Sequence, residues 1–150
     1  SDGYMFTQCL ETNIKLNYKS LSLYIGYTFI NDILKDGGKT KEFTLTPDNI
    51  VNVAIGYEND KLFNAGFGTI YSSSQKLLDG TTTRSLCDVC MFIEKPFRYF
   101  NLFLNFENIL DTRITRWENI ILNSHSYPKF PQIWGPIEGR VINGGIKLKL

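Results

Sequence analysis

The chain has little of what most catalytic and metal centres are made from. It holds one histidine, His125, and three cysteines, Cys9, Cys87 and Cys90, in 150 residues. No glycine-rich phosphate loop and no cluster of metal ligands appears, so nothing in the pattern calls for a cofactor. Charge of one sign is also lacking. The net charge of +1 gives no basic stripe for a polyanion, and nucleic acid is not an expected partner. No apolar run reaches the ~18 residues that a membrane helix requires. Ser1-Asp2-Gly3 has no basic start followed by an apolar stretch, so no signal peptide is visible. Tyr4 to Tyr18 already reads as strand, which leads us to expect that the sequence begins within a longer protein. Helical periodicity is nowhere strong.

What is present is alternation with a period of two, interrupted by turn signals. Aromatics make up 14% of the chain and proline is scarce, which suits strands. Leu10, Thr12, Ile14, Leu16 and Tyr18 alternate with Asn13, Lys15 and Asn17. Leu21, Leu23, Ile25, Tyr27 and Phe29 alternate with Ser22, Tyr24, Gly26 and Thr28. Val51 to Tyr57 and Phe63 to Thr69 follow the same rule, with Gly56, Gly66 and Gly68 on the polar side. Asp88 to Glu94 and Phe100 to Glu107 also alternate, with Phe92 and Phe103 out of pattern. A final strand covers Val141 to Leu150, with Ile146, Leu148 and Leu150 opposite Lys147 and Lys149. These are about seven strands of ten residues. At ~3.3 Å per residue and a tilt of ~45°, each crosses about 23 Å, the height of the apolar band of a membrane barrel.

The connections sort by length. Those at 18–20, 58–61 and 96–98 are short; those at 31–48, 72–86 and 109–140 are long. Short turns on one rim and long loops on the other characterise outer-membrane barrels. That sorting places the C-terminus on the periplasmic rim and the long loops outside. Tyr18, Tyr57 and Tyr99 fall near strand ends, where an aromatic girdle lies. The expected fold is therefore all-β: an antiparallel transmembrane β-barrel segment of about seven strands.

Three stretches resemble a known family. Asn105-Phe106-Glu107-Asn108-Ile109-Leu110-Asp111-Thr112-Arg113 is similar to a late barrel segment, N-x-x-N-L-F-D-x-R, of TonB-dependent outer-membrane receptors of the Bacteroidetes kind. Trp134-Gly135-Pro136-Ile137-Glu138-Gly139-Arg140-Val141 resembles their GP-x-x-GR stretch before the last strand. Asn143, Gly145, Leu148 and Leu150 resemble the terminal signal read by the barrel-assembly machinery, with Leu150 where an aromatic is usual. The resemblance implies that residues 1–150 are the C-terminal part of one 22-stranded barrel domain in the cell outer membrane of a Gram-negative bacterium. It implies that the plug domain is encoded before Ser1. The partners it implies are outer-membrane lipid, the chain's own N-terminal plug domain, the TonB complex acting through that plug, and the assembly machinery. The implied activity is uptake of a scarce nutrient such as siderophore-iron, cobalamin or a glycan, with no enzymatic step. The other architecture compatible with this length is a small self-contained barrel, a lipocalin-like carrier or an eight-stranded outer-membrane protein.

The candidate ligand-binding residues lie in the 109–140 connection: Arg113, Arg116, Trp117, His125, Tyr127 and Trp134. Cations beside aromatics suit anionic or ring-bearing small molecules and glycans. The plainer reading pairs Arg113 and Arg140 with acids at the barrel rim. Cys87-Asp88-Val89-Cys90 has redox spacing, but on a strand residues three apart face opposite ways, so free thiols are expected. Ser124 and His125 are adjacent, a poor basis for triad geometry, and a hydrolase would require both. Asp88, Glu94 and Glu107 are expected to be solvated lumen charges rather than an acid/base pair.

Overall fold

A computed structural model describes residues 4–36, 39–42, 44–122 and 126–149. The chain is all-β. Its strands are β1 (Tyr4–Tyr18), β2 (Leu21–Asp36), β3 (Lys39–Glu42), β4 (Asn49–Tyr57), β5 (Asn64–Ser72), β6 (Leu86–Pro96), β7 (Phe100–Glu107) and β8 (Val141–Leu148). Seven of them form one antiparallel meander in the order β1-β2-β4-β5-β6-β7-β8. The short β3 pairs with the far end of β2. The sheet is open: β1 and β8 are its edges, and the expected barrel curvature does not close on itself within this chain.

The pairing register joins the separate alternations into two continuous faces. One row runs Leu16, Leu23, Ile55, Phe67, Met91, Phe106, Ile142 across all seven strands. The adjacent row, on the opposite face, runs Asn17, Ser22, Gly56, Gly66, Phe92, Asn105, Asn143. A slip of one residue between any two strands would scramble both faces. Nothing among the described residues covers the apolar face. Leu16 is 59% exposed, Phe67 41%, Leu102 48% and Leu148 75%. Among the described residues the buried apolar core is Ile114 and Trp134, both outside the sheet.

Phe92 and Phe103 break the alternation for a local reason. Phe92 pairs with Gly66, and its ring lies over the space a Gly66 side chain would take. Phe103 pairs with Gly145, where an added Cβ would meet the ring at 2.9 Å. An aromatic ring laid over a cross-strand glycine covers bare backbone and packs without crowding. Polar side chains complete that face. Asn105 donates to Asn143 (2.9 Å), which donates to Glu107 (3.0 Å). Lys147 reaches Glu94 at 2.6 Å, and Asn101 donates to the same carboxylate at 2.7 Å.

The rims are staggered. Leu21, Tyr57, Ala65, Ile93 and Leu104 share one row. Counted from it, at the long-loop rim, the β2–β4 pairing ends eight residues on at Phe29, the β5–β6 pairing seven on at Ser72 and the β7–β8 pairing three on at Glu107, while β2 runs on further against β1 alone. At the short-turn rim pairing ends in that row at Tyr18 and three residues beyond it at Pro96. Both rims slip the same way, by about one residue per strand. With ~3.3 Å per residue and ~4.8 Å between strands, that slip tilts the strands by ~35° from the normal to the rims.

Two boundaries depart from the sequence expectation. The 31–48 connection is not simply a loop, because β2 continues to Asp36 against β1 and β3 folds back on it. Phe63 belongs to the turn after β4, its ring 5.0 Å from that of Tyr57, and β5 begins at Asn64.

The glycine–aromatic pairing is testable. Gly66→Ala should cost about 1–3 kcal/mol because Phe92 must leave its rotamer. In the Phe92→Ala background the same change should cost clearly less, a coupling read by a double-mutant cycle on the unfolding of the full-length protein.

Candidate functional site

At the long-loop rim the connections 73–85 and 108–140 fold over one another into a cap. Asn108 is its keystone. It ends β7 with φ 47°, a left-handed conformation that asparagine tolerates well. Its Nδ2 donates to Thr112 O (2.9 Å) and Glu138 O (3.1 Å), and its Oδ1 accepts from Thr112 N (2.7 Å). Buried Thr112 donates its hydroxyl to Cys87 O at 2.6 Å, tying the loop to β6. Arg140 Nε donates to Ile109 O at 2.6 Å. A Cβ on Gly139 would stand 2.5 Å from Asp111 Oδ1. The segment 105–113 and the segment 134–141, read in the sequence as two separate signatures, thus clasp each other.

Above this clasp Ile114 opens a single 3-10 turn, Ile114–Arg116, and is 2% exposed. Its amide donates to Pro136 O (2.9 Å). Trp134 is 6% exposed, and its ring stacks on Trp117 with centroids 6.2 Å apart. Its indole N–H donates to Glu118 at 3.1 Å. Gln75 donates to Trp134 O (3.0 Å), and Leu78 N donates to Gln132 (3.0 Å), which locks the two connections together. The Arg84 guanidinium lies 5.6 Å from the Trp117 ring centre. Asp79 closes the tip of the first connection. The Thr81 hydroxyl and amide, at 2.7 and 2.9 Å, hold its carboxyl below the usual carboxylate range.

The residues expected to bind ligand therefore separate. Arg113 Nε stands 3.1 Å and Arg116 Nη1 3.6 Å from the Asp111 carboxylate, so both are occupied in pairing, as the plainer reading of Arg113 held. Trp134 is an internal support. Trp117 is 37% exposed and Tyr127 82%, so these two present surface. Ser124 and His125 lie outside the described residues. Arg84 was not anticipated, because a cation thirty-three positions before Trp117 carries no local signal that it will lie on that ring. Arg140 holds a backbone carbonyl rather than an acid.

The polar face carries a second feature, a depression of about 460 Å³ lined by Lys15, Tyr24, Gly56, Gly68, Phe92 and Asn105 among others. Cys87 and Cys90 fall on opposite faces of β6, and Cys9, Cys87 and Cys90 are free thiols. Of the residues expected to form the assembly signal, Asn143 is held by Asn105, Gly145 lies under Phe103, Leu148 is on the apolar face, and Leu150 is outside the described residues. Among the described residues no group of three or more metal-binding side chains converges.

No family model matches the chain, and neither the curated proteins nor the solved structures contain a match.

The clasp yields a direct test. Asn108→Ala should cost about 2–3 kcal/mol, since it leaves the amide and carbonyl of buried Thr112 without their partner. Limited proteolysis should then cut within 109–140 faster than in the parent protein, whereas Arg116→Gln should leave the cleavage rate within about a factor of two.

Proposed function

We propose that this chain forms wall and extracellular loops of an outer-membrane receptor of the TonB-dependent kind, taking up a scarce solute. The single observation that carries the reading is the register row. Seven neighbouring strands align apolar side chains on one face and, but for Phe92, polar or glycine residues on the other, with nothing among the described residues covering the apolar side. Leaving seven such side chains in water forgoes on the order of 10 kcal/mol of burial. Soluble monomers rarely expose so large a contiguous apolar patch. Hydrocarbon outside and water inside satisfies both faces at once.

The stagger of the rims supports the same reading. An incline of ~35° is what strands adopt in a closed membrane barrel. The open edges β1 and β8 suit a wall completed by further strands, and in this proposal the complete barrel has twenty-two. Tyr18 and Tyr57 stand in the apolar face at the short-turn rim, where a girdle lies, and Tyr99 is in the turn that opens β7. The cap over the opposite rim would then face the outside. Trp117 with Arg84, and the exposed Tyr127, are the surfaces by which it would meet a ring-bearing or anionic solute or a glycan. A plug domain in the lumen, drawn on by the TonB complex, would gate passage, and the polar face with its glycines would be the wall against which that plug rests. No covalent step is assigned to any residue.

The wall assignment is tested by two neighbouring substitutions on β7. Leu104→Arg should block assembly into the outer membrane, because a mid-membrane arginine costs about 2–4 kcal/mol. Asn105→Arg, on the opposite face, should be tolerated, as read by heat-modifiable mobility and membrane fractionation. Equal tolerance of both would contradict the assigned faces.

A further inference from the structure

The short-turn rim presents cations in a particular way. In the β1–β2 hairpin, the Lys19 ammonium lies 5.3 Å from the Tyr18 ring centre, and Tyr18 is 70% exposed. In the β6–β7 hairpin, the Arg98 guanidinium lies 5.1 Å from the Tyr99 ring centre, and Tyr99 is 66% exposed. Neither cation has a carboxylate partner among the described residues. Neighbouring cations are engaged: Lys95 donates to Leu62 O (2.6 Å), Lys149 to Phe97 O (2.9 Å), and Lys147 pairs with Glu94. The turn between them carries Lys61 together with Glu58 and Asp60, and so adds no net positive charge.

Two hairpins, four strand steps or about 20 Å apart, thus each offer the same pair at the short-turn rim: an exposed tyrosine and, laid on its ring, a cation with no carboxylate partner among the described residues. Resting a lysine or arginine on an aromatic face costs it no charge, and it holds the head of the side chain at the edge of the apolar surface. That is the height at which the phosphates of a lipid leaflet lie when the apolar face is in hydrocarbon. We propose that Tyr18–Lys19 and Arg98–Tyr99 are two headgroup sites that select anionic phospholipid on the short-turn side of the membrane. The tyrosine ring seats at the acyl–headgroup boundary and the cation meets the phosphate. This rests on the membrane reading of the apolar face.

Each cation near an anionic headgroup is worth about a fivefold preference at low salt. The test uses the full-length protein in a neutral detergent, supplied with equal phosphatidylglycerol and phosphatidylcholine, with retained lipid counted by native mass spectrometry. The parent protein should keep phosphatidylglycerol about fivefold over phosphatidylcholine. The Lys19→Gln, Arg98→Gln double variant should keep the two about equally. Raising the salt to ~0.5 M should erase the preference of the unmodified protein, a readout that does not depend on the variant folding. Equal retention of both lipids by the parent protein, or a preference that survives both substitutions or high salt, overturns the headgroup sites and leaves the barrel wall standing. A full-length protein that stays soluble without detergent overturns both.

Discussion

The structure depends on register. Because side chains alternate with a period of two, a row of pairings fixes which seven residues meet one solvent and which seven meet the other. Leu16 through Ile142 fall on one side and Asn17 through Asn143 on the other only if all six pairings are simultaneously in step. The devices that hold the step are local. Ring-over-glycine pairs at Phe92–Gly66 and Phe103–Gly145 admit one partner each, and the Asn105–Asn143–Glu107 chain crosses β7 and β8 with directed hydrogen bonds. These devices sit on the polar face, where the apolar rows cannot specify register by packing against a core.

A sheet built this way has its conventional core displaced to its end. Ile114 and Trp134 are buried in the loop cap, not between layers of sheet. The cap is held by polar contacts to backbone, with Asn108, Thr112 and Arg140 each bonding a carbonyl. That makes the loops a firm lid on one rim, from which Trp117 and Arg84 project as a pair. At the other rim, Lys19 and Arg98 have no carboxylate partner among the described residues. The two ends differ in their loops: a clasped cap with paired arginines at one, and short hairpin turns carrying Tyr18–Lys19 and Arg98–Tyr99 at the other.

The faces were legible in the sequence because alternation is a property of each strand alone. The register was not, yet it confirms them, since every apolar set meets an apolar set. Phe92 and Phe103 looked like faults because their reason, a glycine on the next strand, is remote in sequence. The end of β2 escaped because Ile33-Leu34 and the polar residues around them do not alternate; beyond Phe29 the hairpin of β1 and β2 has no consistent apolar side. Arg113 and Arg116 were read as ligand cations because their residue type suits that role. Their occupation by Asp111 follows from a left-handed turn at Asp111, φ 57°, that composition does not announce.

The central claim is that hydrocarbon contacts the apolar row and water the row beside it. Nitroxide labels placed one at a time on cysteines at positions 16, 55 and 67, and at 17, 22 and 143, would report this in the full-length protein in lipid bilayers, with the three native cysteines replaced by serine. The account predicts high collision with molecular oxygen and low collision with a water-soluble nickel chelate at the first three, and the reverse at the second three. Nickel access at positions 16, 55 and 67 matching that at 17, 22 and 143, or shielding of the first three from both reagents as in a dry protein core, would contradict it.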